Sequence, residues 1–306
     1  MAANYRRIID RHILPRWGFT RLSRLRVQDL DLWYERLRNS GGVGGRPLAP
    51  NSVRRIHNVL HAALGQGLNL GLIASNPASY ASPPPLRRQS INLTASLQDL
   101  SRVLEAAGKV NRALPVFLRV AVATGARRGE LCALRWRDVD LVKGTIRIAR
   151  AFVQVPGKLI EKDPKTHQIR VVSIHSITLE SLQALKAECA SGCEQAGERL
   201  SETAFVFFHQ PDGLLPWRPN YVTLAFSRLS KQLGLEGLRF HDLRHLSASL
   251  LLASGVDVKT VSARLGHAQT STTLDVYAHV IEQVDGRAAE LMGQLLPQPT
   301  QGTPGG

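Results

Sequence analysis

The side chains of this sequence that could do chemistry lie in four short segments, and these offer arginines, a lysine, histidines and a tyrosine but few carboxylates. The segments are TGARRGEL (124–131), PKTHQIRVV (164–172), HDLRH (241–245) and LGHAQTSTTLDVY (265–277). If they converge in the fold, the site is strongly cationic. Such a site suits an anion that gains charge in its transition state, as a phosphodiester does under nucleophilic attack.

Each of these residues taken singly also has an ordinary structural interpretation. His241 and His245 are compatible with core histidines, and Tyr277 is compatible with a half-buried aromatic residue. The spacing favours chemistry, because His241 and Arg244 are three residues apart and share one face of a helix. His267 follows Gly266 at a predicted helix end, and Tyr277 lies ten residues further on. The set as a whole predicts phosphoryl transfer by positioning and charge stabilisation.

Two histidine pairs raise the alternative of a metal site. His57 with His61, and His241 with His245, have the i, i+4 spacing that can bind zinc. Neither pair belongs to an HExxH pattern. A divalent cation at the second pair would also be repelled by the arginines of the same segments. We therefore expect no metal at either pair.

The charge balance indicates a polyanionic partner. The chain has 39 lysines and arginines against 24 acidic residues, a net charge of +15. Residues 1–90 contain 14 arginines, no lysine and 4 acidic residues. A codon bias towards arginine explains why arginine is used in place of lysine, but it does not explain the shortage of acidic residues. Nucleic acid is the common partner of such a surface, because binding releases the counterions condensed on the phosphates.

The cysteines and the apolar residues indicate a cytoplasmic protein. Three cysteines, Cys132, Cys189 and Cys193, give no disulfide framework and favour a reducing compartment. No apolar run is long enough to span a membrane. The first residues, MAANYRRIIDRHILP, contain no apolar signal core.

The first ninety residues read as helices. Helical periodicity predicts one helix over 27–38 and a stronger one from Pro50, whose apolar face is formed by Val53, Ile56, Leu60, Ala63, Leu64 and Leu68. The polar side of the second helix carries Arg54 and Arg55, which suits contact with DNA. A plain solvated surface is the alternative for either arginine.

Prolines mark the boundary between two predicted domains. The segment YASPPPLRRQS (80–90) cannot continue a helix and is typical of an extended linker. We predict a helical DNA-binding domain over 1–82, a linker over 83–93 and a second domain over 94–297. The end of the chain, 298–306, is predicted to be a disordered tail.

The second domain is predicted to be mainly helical around a small sheet. Ser96 and Asp99 have the spacing of a capping box at the start of its first helix. Residues 139–173 alternate apolar and polar positions with glycine turns, which predicts a small antiparallel sheet. Helices and a short strand over Phe205–Phe208 are predicted to follow. The fold class is thus mainly α with a small antiparallel β-sheet.

In their order and spacing, the four segments resemble the catalytic domain of the tyrosine recombinases, the phage integrase family that includes lambda integrase, Cre and the Xer proteins. The resemblance is specific over 124–277. It implies six catalytic positions and one supporting carboxylate. The catalytic positions are Arg127, Lys165, His241, Arg244, His267 and Tyr277, and Glu130 supports them.

The first eighty residues resemble the helical core-binding domain of the same family more weakly. Integrases of the lambda type carry a further N-terminal domain for arm-type DNA sites, and the residues before Tyr5 leave no room for one. The chain is expected to be either a two-domain recombinase or a piece of a longer one.

The resemblance implies that Tyr277 attacks DNA and forms a 3′-phosphotyrosyl intermediate that needs no cofactor. A free tyrosine has a pKa near ~10, so the phenol needs a base or neighbouring positive charge. His241 is the expected general acid/base. Arg127 and Arg244 are expected to clamp the phosphate, with His267 as a further donor. Lys165 is expected to protonate the leaving 5′-oxygen.

The resemblance also implies the partners. These are double-stranded DNA with specific recombination sites, a homotetramer on two duplexes, and accessory DNA-bending or directionality factors. The predicted helix over 284–296 is expected to dock on a neighbouring protomer, with packing on its own domain as the alternative. The protein is expected to be cytoplasmic and associated with the nucleoid.

Two other functions remain open from the sequence. A type IB topoisomerase shares these catalytic residues but relaxes supercoiled DNA without making recombinants. A DNA-binding regulator would keep the fold without the chemistry. A topoisomerase would form no recombinant product, and a regulator would form no covalent adduct with DNA.

Overall fold

The computed structural model describes residues 2–85, 96–155, 157–162, 169–210, 212–267, 269–271, 273–274 and 277. The chain separates into two compact units, Met1–Ser90 and Ile91–Gly306. This division falls inside the segment that its prolines predict to be a linker. The finer domain boundaries remain predictions.

The first unit is helical and packs around one apolar core. Its helices are α1 (Ala2–Ile8), a π-helical turn (Ile9–Ile13), α2 (Leu14–Trp17), α3 (Val27–Ser40) and α4 (Pro50–Asn69). Short 3-10 turns occupy Leu22–Arg24, Val43–Gly45 and Pro77–Ser79. The apolar stripe predicted for α3 is buried, namely Leu30, Trp33, Tyr34 and Leu37.

The buried face of α4 differs slightly from the predicted one. Val59 and Gly67 are buried, whereas Ala63 and Leu68 are exposed. Val59 lies three residues after the buried Ile56 and therefore shares its face. The core-facing stripe is rotated towards Val59, and the helix still turns Arg55 to solvent.

The second unit begins with a capped helix, as predicted. The hydroxyl of Ser96 accepts a hydrogen bond from the backbone N–H of Asp99, and the Asp99 carboxylate accepts one from the backbone N–H of Ser96. The helices of this unit are α5 (Leu97–Val110), α6 (Ala113–Thr124), α7 (Arg128–Cys132), α8 (Ser176–Gln195), α9 (Pro219–Gln232), α10 (Asp242–Ala253) and α11 (Val258–Leu265).

The strands of the second unit form two antiparallel sheets where one was predicted. The strands are β1 (Val139–Asp140), β2 (Thr145–Ile148), β3 (Ala151–Val155), β4 (Lys158–Lys162) and β5 (Arg170–Ser173). The first sheet has the order β1-β2-β5, and β3 pairs with β4 as a separate hairpin. The fold class, mainly α with small antiparallel sheets, is confirmed.

The predicted strand over Phe205–Phe208 is wrong. This segment contributes only isolated bridges, from Phe205 to Arg135 and from Phe208 to Pro216. The side chains of Phe205, Val206 and Phe207 are buried because they fill the core between the helices. Phe207 packs edge-on against Phe117 at 4.7 Å between ring centroids. Tertiary packing therefore accounts for the apolar run without a ladder.

A second, smaller apolar cluster adjoins the predicted site. It consists of Ala248, Leu252, Val261, Leu265 and Tyr277. It joins α10 and α11 to the segment that bears Tyr277, so the position of that phenol depends on how these helices pack. None of the described helices combines the length and apolar character that crossing a bilayer requires.

Candidate active site

Arg127 and Arg128 are adjacent in sequence but point to different surroundings. Arg127 precedes α7, and its side chain is 47% exposed while Nη1 donates to Glu130 Oε1 at 3.0 Å. Arg128 instead donates to the hydroxyl of Thr223 on α9. Arg127 thus has a guanidinium that a ligand can reach, in line with its predicted role, whereas Arg128 ties two helices together.

Glu130 is buried between two arginines. Its Oε2 accepts hydrogen bonds from the backbone N–H of Arg127 at 2.8 Å and from Nη2 of the buried Arg170 at 2.6 Å. Burial alone would raise the pKa of Glu130, but hydrogen bonds and charge from Arg170, with a smaller contribution from Arg127, outweigh it and lower that pKa. Glu130 is therefore an anion that holds both arginines in place.

Arg244 is buried on α10 and anchored to the end of α6. Its Nη1 donates to the carbonyl of Gly125 at 2.6 Å. Its Nη2 has no hydrogen-bond partner among the described residues. Burial, followed by the charge of Arg127, lowers the pKa of Arg244 to about 10, so the group still carries its charge at neutral pH. A buried cation with an unused donor is suited to an anionic ligand.

Gly125 is required at this anchor. It ends α6 with φ 61°, in the left-handed region that glycine adopts at no steric cost. A Cβ at this position would lie 2.4 Å from Cδ2 of Leu265. The glycine of TGARRGEL therefore allows both the turn and the close approach of α11.

His241 and His245 lie one helical turn apart at the start of α10. Their rings pack edge to face, with 4.9 Å between centroids. Burial, with the charges of His245 and Arg244, lowers the pKa of His241 to about 4. Burial also lowers the pKa of His245. Both rings are consequently neutral at pH 7.

The hydroxyl of Tyr277 pairs with His245. The Tyr277 oxygen lies 2.8 Å from His245 Nδ1, and the side chain of Tyr277 is buried. Burial raises the pKa of Tyr277 to about 12, and the nearby charge of Arg244 offsets only part of this. Of the two alternatives expected for the phenol, a base or neighbouring positive charge, the structure favours a base, because burial outweighs the charge of Arg244.

His267 lies beside the arginines, at the end of α11. Its Nδ1 is 2.7 Å from the hydroxyl of Thr273. Burial and the charges of Arg244 and Arg127 lower the pKa of His267 to about 4. The preceding Gly266 has φ 68°, and a Cβ there would lie 2.7 Å from Nη1 of Arg170. The LGH sequence thus places an imidazole beside the two predicted phosphate ligands.

The structure brings five of the six predicted catalytic residues together. Arg127 and Arg244 act electrostatically on both His241 and His267, and Arg244 acts on Tyr277. The sixth, Lys165, lies outside the described residues, as does the predicted helix over 284–296.

Two residues of the site were missed from the sequence. Arg170 sits in a segment that alternates like any strand, and the only signal was an arginine at a buried position of β5. The sequence interpretation of His245 was either a core histidine or, from its spacing to His241, a metal ligand. The fold, and not the spacing, shows that it contacts Tyr277.

The remaining sequence candidates have other contacts. Arg54 donates from Nη1 to the carbonyl of Pro84 at 3.1 Å, so it anchors the chain that leaves the first unit. His57 Nδ1 pairs with the Tyr34 hydroxyl at 2.9 Å, and His61 Nε2 pairs with Ser79 Oγ at 3.1 Å. The part of the chain that the structure describes contains no group of three or more potential His, Cys, Asp or Glu metal ligands.

The geometry defines a class of site, namely a phenol beside two guanidinium groups and three neutral imidazoles, supported by a buried carboxylate and its partner Arg170. Such a set can hold an oxyanion and present a nucleophile to it, as phosphoryl transfer requires.

Comparison with known proteins gives the same class. The phage integrase family matches residues 94–283. The ICEBs1 integrase of Bacillus subtilis (strain 168) is 25% identical over 294 residues, which cover 96% of this chain and 77% of that protein. A XerC-like tyrosine recombinase of Caldanaerobacter subterraneus subsp. tengcongensis is 28% identical over 262 residues, covering 80% of this chain and 66% of that protein.

The fold has a counterpart among solved structures. The Tn1549 transposon integrase in complex with transposon right end DNA superposes with a TM-score of 0.78 at 18% identity, covering 96% of this chain and 94% of that one. At this identity the match concerns the fold alone.

The chain belongs to the phage integrase family. It is a tyrosine-type site-specific recombinase, which carries out site-specific recombination and integrates a mobile element.

Proposed function

We propose that Tyr277 is the nucleophile that cuts and rejoins DNA, at a phosphate held by Arg127 and Arg244. One observation carries this proposal: the Tyr277 hydroxyl lies 2.8 Å from Nδ1 of His245, the residue that follows the buried Arg244 on α10. A phosphate between the two guanidinium groups would therefore lie close to the phenol. The exposed side of Arg127 gives DNA a route to this position.

The two arginines are suited to grip the non-bridging oxygens. Nη2 of Arg244 has no hydrogen-bond partner among the described residues, and the planar guanidinium presents parallel donors to a phosphate. Glu130 holds Arg127 and Arg170 without occupying the exposed side of Arg127. His267 is the proposed further donor to the phosphate.

His245 is the proposed acceptor of the phenolic proton. It is the residue in hydrogen-bond contact with the Tyr277 oxygen, and its lowered pKa keeps it neutral and able to accept. His241 was assigned this role from the sequence, but its ring packs against His245. We propose that His241 holds the base in position and supports the phosphate.

The proposed reaction is a transesterification that conserves the phosphate bond. The Tyr277 oxygen forms a bond to phosphorus, its proton passes to His245, and the bond to the 5′-oxygen breaks. Lys165 is the proposed donor of the proton that the 5′-oxygen takes up. The product is a 3′-phosphotyrosyl intermediate, which a 5′-hydroxyl of a second strand then attacks in the reverse sense.

The proposed partners are double-stranded DNA with specific recombination sites, a second duplex, and other copies of the chain in a homotetramer. Integration or excision would proceed by exchange of strands between the two duplexes. Accessory DNA-bending or directionality factors are part of the proposal, as is action on the nucleoid in the cytoplasm. The net charge of +15 supports a DNA partner.

A nicked suicide duplex that carries the attachment site of the element tests this function. Cleavage next to the nick releases a short strand and traps the protein on the DNA. We expect a covalent adduct with the wild-type chain and none with Tyr277→Phe. Tyr221→Phe is the matched control, because Tyr221 packs against Trp217 at 5.3 Å between ring centroids, in another part of the unit, and should leave the adduct unchanged.

Two results would contradict the proposal. Equal adduct from the wild type and from Tyr277→Phe would remove Tyr277 as the nucleophile. Relaxation of supercoiled DNA of any sequence, with no recombinant product, would show a topoisomerase instead.

A further inference from the structure

The hydroxyl of Thr273 is buried against the ring of His267. The side chain of Thr273 is fully buried, and its Oγ1 lies 2.7 Å from Nδ1 of His267. This distance is within hydrogen-bond range. It does not by itself identify the donor, because a neutral imidazole can carry its hydrogen on either nitrogen.

The surroundings of Thr273 identify its hydroxyl as the donor. Among the residues that the structure describes, His267 Nδ1 is the one hydrogen-bond partner of this hydroxyl. Thr124 and Thr223 instead donate to the backbone carbonyl one helical turn earlier. A buried O–H that donates to no acceptor costs free energy. The hydrogen of the Thr273 hydroxyl therefore points to Nδ1, and the hydrogen of the ring is on Nε2.

This tautomer suits a phosphate ligand. Burial and the charges of Arg244 and Arg127 lower the pKa of His267 to about 4, so the ring is neutral at pH 7 and has one N–H. A phosphate oxygen accepts hydrogen bonds and donates none, so it needs that N–H on the nitrogen that faces it. The backbone N–H of His267 is bonded to the carbonyl of Ser262 at 3.1 Å. With the backbone held, the orientation of the ring is what Thr273 fixes.

Thr273 also lies on the segment that carries the nucleophile. The described residues 270, 271, 273, 274 and 277 are helical, and Thr273 precedes Tyr277 by one turn. Residues four apart on a helix share a face, and both of these side chains are buried. The hydrogen bond from Thr273 therefore connects the imidazole of His267 to the element that bears the phenol.

We propose that Thr273 is a positioning residue of the active site, whose hydroxyl holds His267 as the tautomer that donates from Nε2 to the phosphate under attack. Thr273 acts through His267 and does not contact the phosphate itself. The proposal rests on the proposed function, since it takes the phosphate between Arg127 and Arg244 as the ligand of Nε2.

The first test is the tautomer of His267 in the full chain without DNA. Nitrogen-15 NMR of histidine-labelled protein reports which ring nitrogen is protonated, and the signals of His267 are those lost in His267→Ala. At pH 7 we expect protonation at Nε2 in the wild type and in Thr273→Ser. The Nδ1 signal should shift in Thr273→Val, which loses the hydrogen bond. A wild-type ring protonated at Nδ1 would overturn the proposal, because Thr273 would then be the acceptor.

The second test is the single-turnover rate of adduct formation on the suicide duplex. Thr273→Val removes the hydroxyl and keeps the shape of the side chain. We expect a fall of roughly 10-fold to 100-fold, as when the hydrogen-bond partner of a metal-ligating histidine is removed. Thr273→Ser keeps the hydroxyl and should retain most of the rate. Thr178→Val is the matched control, the same change at a buried threonine of α8, and should keep the wild-type rate.

A double-mutant cycle separates this role from simple packing. If Thr273 acts through His267, Thr273→Val should cause little further loss in a His267→Ala chain. An equal fold-loss with and without the imidazole would overturn the proposal, as would a Thr273→Val chain as fast as the wild type. Urea denaturation identifies any variant that is unfolded. The tautomer of the wild-type chain tests the proposal even where Thr273→Val is unstable.

The outcomes for this inference and for the proposed function are distinct. An adduct that depends on Tyr277 but not on the hydroxyl of Thr273 would refute the inference alone. No adduct from the wild type, with His267 protonated at Nε2, would refute the proposed function and with it the role of Nε2 at a phosphate.

Discussion

At the scale of single residues, the two proposed phosphate ligands are held in different ways. Arg127 is half-exposed and forms an ion pair with the carboxylate of Glu130. Arg244 is buried and donates a hydrogen bond to the carbonyl of Gly125. Arg244 therefore has little freedom to adapt to a ligand, and Arg127 has more. The buried group should set the position of the phosphate.

Arg244→Lys tests the importance of the guanidinium fork. Lysine keeps the charge but cannot bond to Gly125 and to a phosphate in the same plane. We expect the rate of adduct formation to fall by roughly 10²–10³, the usual effect of removing one oxyanion donor. The measurement is a single-turnover time course on the suicide duplex. Arg128→Lys is the control and should keep the rate, and equal rates for Arg244→Lys and the wild type would contradict the assignment.

His245→Gln tests the proposed base. Without an imidazole beside it, the phenol must lose its proton to solvent, and its pKa is raised to about 12 by burial. We expect the rate at neutral pH to fall by roughly 10²–10⁴. The rate of the variant should then climb steadily with pH, because the ionised fraction of Tyr277 rises. A variant whose pH profile has the wild-type shape would assign His245 a structural role only.

At the scale of elements, the site depends on two helix ends that approach closely. α6 ends at Gly125 and α11 ends at Gly266, both with positive φ. A Cβ on Gly125 would collide with the side chain of Leu265, and a Cβ on Gly266 would collide with the side chain of Arg170. The glycines of the TGARRGEL and LGH segments are therefore needed for packing as well as for turns.

Gly125→Ala should weaken both the fold and the reaction. A non-glycine residue in the left-handed region costs about 1–3 kcal/mol, and the added Cβ would also displace Leu265. Chemical denaturation should show a lower unfolding midpoint. Adduct formation should slow because a shift of the carbonyl at position 125 displaces Arg244, which donates to it. Gly108→Ala, in the exposed part of α5 with no atom near the added Cβ, is the control and should raise stability slightly. A Gly125→Ala chain as stable as the wild type would contradict this account.

The elements were largely predictable from the sequence, because periodicity and capping act locally. The α3 stripe and the Ser96 cap are examples, and both follow from residues within a few positions of each other. The prediction of a strand over 205–208 was wrong because the apolar run reflects packing against rings that are distant in sequence, such as Phe117. The strands were predicted to form one sheet but form two. The sequence did not show this division, because β2 pairs with β5, which lies far from it in sequence.

The site was predictable as a set but not in its internal contacts. The order of the four segments identified five residues that the structure brings together. The partner of Tyr277 and the role of Arg170 depend on how α10, β5 and α11 pack, which no local pattern encodes. For the same reason, the sequence did not show that burial would outweigh the positive charge around Tyr277.

At the scale of the whole molecule, the buried histidines make stability depend on pH. His241 and His267 have pKa values lowered to about 4, against 6.5 for a histidine in an unfolded chain. Between these values the unfolded chain binds more protons than the folded one, so stability falls as pH falls. Above about pH 6.5 the contribution of these histidines is constant.

His267→Gln should reduce this pH dependence. We expect the loss of unfolding free energy between pH 7 and pH 5 to be smaller for the variant than for the wild type, because one buried proton acceptor is absent. Urea denaturation at the two pH values measures this. His175→Gln is the control, because His175 is exposed outside the site, and it should keep the wild-type dependence. An identical pH dependence for His267→Gln and the wild type would argue against the neutral, buried state of His267.

The most direct test of the whole account is the chemical identity of the residue bound to DNA. The trapped adduct can be digested with nuclease and trypsin, and the nucleotide-bearing peptide sequenced by mass spectrometry. We expect the 3′-phosphate to be attached to the hydroxyl of Tyr277, in the peptide over 265–287. Attachment to any other residue, or cleavage of DNA with no attached peptide, would contradict it.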